Sequence, residues 1–519
     1  MEKKEKVVIL GGGIAGLTAG IHLLQKGYEV TILEKNQDVG GLCYGQFVDG
    51  YYIDTCIHWL MGTNKKSSLY KEWKAIGALG KDTKILSLPT VGTYEYEGTT
   101  VNLYRNLEKT EKALIKISPE DKKAIHRFIS ASREMGSLMG ILFKNQDLKI
   151  MELLKTLSGS AHIIRSMGQS RESYAEHFKH PAIRFALKNA MTGYNNMFFF
   201  LDFYGLFSTG NADVPEGGAY YMVQRIKQRF LDLGGQLFTD TQVDELVVKK
   251  KEVVAAKTNK GEFHGDRFIS SIDPQYTLKT LLGGKYEIPL FNRLDKTVEK
   301  RSISSCVNLY LAVDGDVSKI KAPTVLHTDP MKIGAKEVDA MLVRPYGYDA
   351  KHFVKDGKTV VLLFIDQNQD DYAYYDSLSE KDYKKAIKKV EEAMIGAFLK
   401  RYPEFDGKVE RLYFFGPKEI AKATNTSYGS IQSYSFTDKG MFYIQNGRVP
   451  KLNNLYLAGQ WIRAIGGTPT ALLTGIEAAK NVIKDKPKEK KALPFGKKKA
   501  AKKSKKSKNK KDKKKTKSA

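Results

Sequence analysis

Residues 7–34 read VVILGGGIAGLTAGIHLLQKGYEVTILE, and their spacing decides the fold. Val7-Val8-Ile9-Leu10 is a short unbroken apolar run, as expected of a parallel strand buried on both faces. Gly11, Gly13 and Gly16 follow as G-x-G-x-x-G, and Leu17, Ile21 and Leu24 then recur at helical spacing. Gly11 permits the tight turn from strand to helix, Gly13 lets backbone amides approach a pyrophosphate, and Gly16 lets the helix pack closely on the sheet. The N-terminus of that helix, at Ala15, offers oriented N–H groups and a partial positive charge. Gly27 ends the helix, Tyr28–Leu33 reads as a second strand, and Glu34 closes it where a ribose-binding carboxylate is expected. An acid there accepts hydrogen bonds from ribose hydroxyls and repels a 2′-phosphate. The pattern is that of a dinucleotide-binding βαβ unit.

The chain has 519 residues, a span of two to four domains at roughly 100–200 residues each. Its 42% hydrophobic and 11% aromatic content excludes a disordered or fibrous protein. The net charge of +27 is unevenly spread: Lys484–Ala519 holds 19 Lys and 3 acidic residues, +16 of the total. Cys43, Cys56 and Cys306 show no CxxC spacing, which excludes a disulfide scaffold and a thiolate zinc cluster and fits a reducing, cytoplasmic setting. The start, MEKKEK before an apolar stretch, is like a secretion signal in outline, but its glycines punctuate a strand and a helix. No other run approaches the ~20 apolar residues of a membrane span.

Which dinucleotide binds is read from resemblance. After Glu34 and Lys35, the segment NQDVGGLCYGQFVDGYYIDTCIHWLMG, with its Gly40-Gly41 pair, resembles that of the amine-oxidase and phytoene-desaturase flavoprotein superfamily. Pro215-Glu216-Gly217-Gly218 with Gln242–Val248, and Leu455–Gly459 with Gly466–Ala471 and Gly475–Ala479, are similar to its later flavin blocks. The resemblance implies FAD and an α/β fold: a discontinuous Rossmann-like FAD-binding domain with an inserted α+β substrate domain. It implies cofactor contacts at Gly11, Gly13, Ala15, Gly16, Glu34, Lys35, Gly41, Leu42, Val243, Gly459, Gln460, Thr470 and Ala471. Asp54–Trp59 is similar to the D-x-G-x-H segment of the phytoene desaturase, carotenoid isomerase and retinol saturase branch, with Cys56 at the usual glycine position. It also departs at Leu42, where many relatives have an arginine, and at Gln460, where an acid is common. On this branch His58 and Trp59 would lie near the flavin and are the candidate catalytic residues. No cysteine follows Cys306, so the C-terminal cysteinyl flavin link is closed and FAD is expected to be non-covalent.

The expected organisation is an FAD-binding domain from residues 1–64, 215–284 and 441–485, a substrate domain from 65–214 (helical) and 285–440, and a lysine tail over 486–519. Ser118–Asp121 reads as a helix start, and Ile150, Leu153, Leu154 and Leu157 form one apolar helical face. Cys306–Leu311 and Val360–Phe364 read as strands, with a charged helix from about Glu380 to Leu399. In YNNMFFFLDFYGLF, Tyr194–Phe207, seven of fourteen residues are aromatic; the stretch reads as a buried helix, a lining for a long apolar substrate, or both. His177 and His180 lack a third ligand at an obvious spacing, so no metal site is expected.

If the resemblance holds, hydride passes between a substrate carbon and flavin N5, in a desaturase, saturase or isomerase of an apolar polyene or isoprenoid-like substrate. A flavin amine oxidase of the same fold is the second reading, and a flavin-bearing protein recruited to anionic surfaces by its tail is a third. The tail has almost no apolar residues to offset folding entropy, so disorder is expected. It suits an anionic membrane surface, which would make the protein peripheral. Lysine without interleaved aromatics argues against sequence-specific nucleic-acid binding. The electron acceptor stays open.

Overall fold

The strand Lys6–Leu10 lies at the centre of a five-stranded parallel sheet, with Glu29–Leu33 on one side and Arg267–Ser270 on the other. Gln236–Phe238 and Leu455–Leu457 complete the two edges, so the sheet draws on three distant parts of the chain. The structure is a computed structural model and describes residues 4–142, 166, 168–191, 195–297, 303–434, 443–464 and 466–485. The apolar positions Ile150, Leu153, Leu154 and Leu157, Tyr194, and the lysine tail lie outside them.

Val7, Val8, Ile9 and Leu10 are all buried: Val7 and Ile9 join the core shared with the flanking helices, and Val8 and Leu10 join the core that holds Val243, Leu246, Val253 and Ala256. The helices Ile14–Leu24, Gly218–Asp232 and Gly467–Lys484 pack against the sheet and one another. Glycines set these approaches. A Cβ on Gly16 would lie 2.1 Å from the Gly11 carbonyl oxygen, and one on Gly475 would lie 2.5 Å from that of Ala15. The parallel sheet flanked by helices is the Rossmann-like α/β arrangement expected from residues 7–34. Val243–Lys249, Glu252–Thr258 and Gly261–His264 form a separate antiparallel sheet.

A second, eight-stranded sheet runs Val409–Phe415, Ser305–Asp314, Lys358–Gln367, Lys336–Pro345, Thr324–Ile333, Thr90–Tyr96, Thr99–Tyr104, with Val354–Lys355 paired to Lys358–Gln367. Period-two alternation assigns its faces. Val307, Leu309, Leu311 and Val313 join Val390, Met394 and Phe398 of the helix Glu380–Arg401 in one core. Cys306, Tyr310 and Ala312 face the other way, as do Val360, Leu362 and Phe364, into the core beneath a helical layer.

In that layer the aromatic stretch forms the helix Met197–Ser208, whose residues from Phe199 to Phe207 are all buried. A helix apolar all round belongs in an interior rather than at a surface. It crosses the helix Lys122–Leu142 at a glycine pair, where a Cβ on Gly205 would stand 2.5 Å from Gly136 N. Among the described residues no helix is long and apolar enough to cross a membrane.

The glycine contacts predict opposite outcomes for one substitution. Gly205→Ala pushes against backbone that cannot yield and should lower stability by about 1–3 kcal/mol. Gly396, exposed within Glu380–Arg401 with nothing within 4 Å of its Cβ position, should gain about 0.5–1 kcal/mol as Gly396→Ala. Denaturant unfolding of the two variants checks the sign of each.

Candidate functional site

A single long cavity of about 640 Å³ runs along the carboxyl ends of the parallel strands and beneath the eight-stranded sheet. Its volume is that of a ligand pocket, and its position is where open α/β sheets bind ligands.

At one end the glycine turn is built for close approach. Gly11 has φ 95° and donates its N–H to Leu33 O at 2.9 Å. Gly13 pairs with Gly40, and a Cβ on Gly13 would meet only the Gly40 oxygen, at 3.8 Å, so its cavity side is open. Gly41, at φ 59°, passes beside it. Glu34 follows the second strand and is 4% exposed. Its carboxylate accepts from Gly12 N at 2.8 Å and from Asn36 N and Nδ2 at 2.9 Å. Burial pushes its pKa up, against those hydrogen bonds. With about four lone-pair sites on a carboxylate, one remains for a ribose hydroxyl. Val243 lines the cavity nearby, and Thr241 N donates to Glu34 O at 2.8 Å.

Lys35 also lines the cavity, but its ammonium donates to Lys422 O at 2.6 Å and Asn425 Oδ1 at 2.7 Å, at the C-terminus of the helix Pro417–Thr424. A cation there is favoured by the helix dipole.

Mid-cavity, the C-terminal block contributes a second helix N-terminus. Gly466 and Gly467 have φ 66° and 75° and open the helix Gly467–Lys484, whose Ala471 reaches the lining. Gln460, at the position where an acid is common, accepts from Gly467 N at 2.8 Å and donates to Ile431 O at 3.2 Å. Gly459 is held by Thr474 Oγ1 through both its N–H and its carbonyl. Gly11, Gly13, Ala15, Glu34, Lys35, Gly41, Leu42, Val243, Gly459, Gln460 and Ala471 therefore share one lining, whereas Gly16 and Thr470 are not among it. Gly16 sits beneath Gly11, and Thr470 O accepts from Thr474 Oγ1 at 2.8 Å.

The far end holds His58 and Trp59. Asp54 Oδ1 accepts from Cys56 N and Ile57 N, each at 2.9 Å, which shapes the turn that delivers them. Trp59 packs against Phe203, tilted by 37° with centroids 4.2 Å apart, and Phe364 stands edge-on to His58. Burial, with Arg344 nearby, pushes the His58 imidazole well below its usual range, so it is neutral. Three further lining residues, Asp202, Asn308 and Gln432, carry no sequence motif. His58 Nε2, Asp202 Oδ1, Asn308 Oδ1 and Gln432 Oε1 are all buried without a hydrogen-bond partner. Unsatisfied polar atoms around one cavity point to a bound polar group, and a flavin ring offers the complementary donors and acceptors. Asp202 was detectable as the lone acid in the apolar run Met197–Phe207. Asn308 and Gln432 reach the cavity through strand pairing and chain crossing that no local pattern records.

A smaller, mainly apolar cavity of about 40 Å³ shares His58, Trp59 and Met191 with the main one and is walled by Leu86, Leu88, Val91, Phe203, Val325 and Leu342, among others. Away from the cavity, Glu216, Asp349 and His352 bring possible ligand atoms within 4.8 Å of one another. Both Asp349 oxygens already accept, from Gly217 N and His352 Nδ1, each at 2.7 Å. His177 is exposed, and His180 caps the helix Pro181–Lys188.

The model of the flavin containing amine oxidoreductase family matches residues 14–483. A 4,4'-diaponeurosporene oxygenase of Staphylococcus aureus is 20% identical over 93% of this chain and 99% of its own. A lycopene-forming phytoene desaturase of Pseudescherichia vulneris is 24% identical over 62% of this chain and 66% of its own. Among solved structures, an oxidoreductase from Methanosarcina mazei superposes with a TM-score of 0.57 at 15% identity, covering 92% of this chain and 100% of its own. The chain therefore belongs to the flavin containing amine oxidoreductase family and is an FAD-dependent oxidoreductase.

Proposed function

We propose that the protein is a desaturase of an extended apolar polyene or isoprenoid-like substrate. The observation that carries this reading is the aromatic and apolar lining of the main cavity at its His58 end, where Trp59, Met191, Phe199 and Phe364 share the wall with the buried carboxyl of Asp202. FAD, held without a covalent bond, supplies the hydride acceptor at N5. Glu34 and Val243 would hold its adenosine end, the Gly11–Gly16 turn its phosphates, and the helix start at Gly467 together with Asn308 and Gln432 its ring. The names of the relatives, a carotenoid desaturase and a diaponeurosporene oxygenase, support a polyene substrate.

Removing two hydrogens from neighbouring carbons leaves a proton once the hydride has gone. We assign that proton to Asp202, which lines the cavity. Burial alone pushes its carboxyl up to about 7, close to the working pH at which a general base acts best. Neutral His58, with Nε2 unpartnered, leaves one hydrogen bond free for a bound group. Trp59, Phe199 and Met191 exclude water from this end.

Under anaerobic conditions, C40 and C30 carotenoid precursors delivered in detergent should bleach the flavin and yield a product with one further double bond. Bleaching by amines with none by any polyene, and hydrogen peroxide release in air, would instead establish an amine oxidase.

Asp202 also predicts a pH dependence. The fold binds a proton that the unfolded chain releases at the ordinary carboxyl value of 3.8, so this stabilisation is complete below 3.8 and is lost as pH rises toward 7. Asp202→Asn removes that loss. Its stability advantage over the wild type should grow by roughly 2–3 kcal/mol between pH 5 and pH 8, while flavin reduction by substrate slows at least tenfold. Denaturant unfolding at the two pH values and stopped-flow absorbance check both; a pH-independent gap would place Asp202 outside the account.

The lysine tail, residues 486–519, we assign to an anionic membrane surface, where a polyene would be met, at about 1 kcal/mol per lysine near the surface. Its deletion should abolish sedimentation with phosphatidylserine vesicles and leave flavin content unchanged; undiminished sedimentation would remove the tail from the function.

A further inference from the structure

The hairpin that follows the glycine loop carries two cysteines that flavin binding does not use. Its strands Gly45–Val48 and Tyr51–Asp54 pair as Val48 with Tyr51 through Gly45 with Asp54, across a two-residue turn at Asp49 and Gly50, φ 50° and 79°. One step beyond, Thr55 N donates to Tyr44 O at 3.1 Å. Continued two residues past the paired strands, which end at Gly45 and Asp54, the same register brings Cys43 and Cys56 side by side; neighbours across an antiparallel ladder stand roughly 4.5–5.5 Å apart at Cα, within the range disulfides require. A hydrogen bond with Cys56, then burial, push the Cys43 thiol well above its usual pKa, which agrees with two thiols in contact.

Both residues line the cavity. Cys43 comes two residues after Gly41, which lies against Gly13, and Cys56 comes two residues before His58. Cys43 is 3% exposed and Cys56 is half-buried. The third cysteine, Cys306, also lines the cavity but has no cysteine opposite it: its partners across the sheet include Asp366.

We propose that Cys43 and Cys56 form a second redox centre that exchanges two electrons with the flavin. This rests on FAD occupying the cavity. In the step, both S–H bonds break and one S–S bond forms between Cys43 Sγ and Cys56 Sγ; the two electrons and two protons released reduce one oxidised flavin. The reverse step returns the dithiol.

The test uses the flavin-loaded full chain. Anaerobic titration with dithionite should consume one electron pair more than the flavin itself takes up, and Cys43→Ser or Cys56→Ser should remove that extra pair while Cys306→Ser keeps it. Independently, Cys43 and Cys56 fall in one tryptic peptide, Asn36–Lys65. From oxidised wild-type protein, denatured in alkylating reagent, this peptide should be two hydrogens lighter and unlabelled; from reduced protein it should carry two labels. This second readout needs no variant to fold. Two labels in the oxidised holoprotein, with equal electron uptake in wild type and variants, would overturn the proposal and leave the FAD reading standing. A preparation that binds no flavin would overturn the FAD reading, and the redox centre with it.

Discussion

The Asp54 carboxylate is the constraint on which the arrangement of the site depends. It is 1% exposed and accepts from Cys56 N, Ile57 N and Ala219 N at 2.8–2.9 Å, while its own carbonyl accepts from the Tyr310 hydroxyl at 2.7 Å. One residue thus joins the N-terminal hairpin, the start of the helix Gly218–Asp232 and the strand Ser305–Asp314 of the eight-stranded sheet. That helix has Gly217 at its N-cap and no side-chain cap of its own; Asp54, Asp349 and the Tyr52 hydroxyl accept from its first N–H groups instead. Each such donor left unpaired in the interior would cost about 1–3 kcal/mol. Burial raises Asp54 to about 6, and the oriented N–H groups hold it below where burial alone would put it.

Glu34 plays the matching part at the other end of the cavity, tying Gly12 and Asn36 to the close of the second strand. Two buried carboxylates, each fixing a backbone turn, therefore set the length of the groove between them. Glycines clear its floor, and the period-two alternation of Ser305–Asp314 and Lys358–Gln367 presents Cys306, Asn308 and Phe364 as its roof while the opposite faces bury against Glu380–Arg401. The chemistry is thus held on sheets and helix ends rather than on free loops, as positional accuracy in a catalytic site demands.

Legibility in the sequence followed locality. Gly11, Gly13 and Glu34 act within one βαβ unit, so spacing alone exposes them. The segment from Asp54 to Trp59 was recognisable by resemblance, yet nothing in it announces that Asp54 would serve a helix 165 positions away. Lys35 sits beside the cavity as its position suggests, but its ammonium turns to the helix end at Asn425, a partner 390 residues distant. Asp202 was visible as an anomaly, a single acid among seven aromatics; the aromatic stretch is both the core of the helical layer, through Phe200 and Tyr204, and part of the cavity wall, through Phe199 and Asp202. Asn308 and Gln432 acquire meaning only when the two sheets close over one groove. Cys56, a departure from the resembling pattern, becomes intelligible once the hairpin register sets it opposite Cys43.

The most direct measurement of the central claim is an experimental density map of the flavin-loaded protein. The account predicts one extended FAD per chain, its ribose at Glu34, its pyrophosphate against Gly13, and its ring at the Gly467 helix start between Asn308 and Gln432, beside His58 and Asp202, with no bond to a protein atom. A flavin lying elsewhere, or a ring turned away from His58 and Asp202, would contradict it.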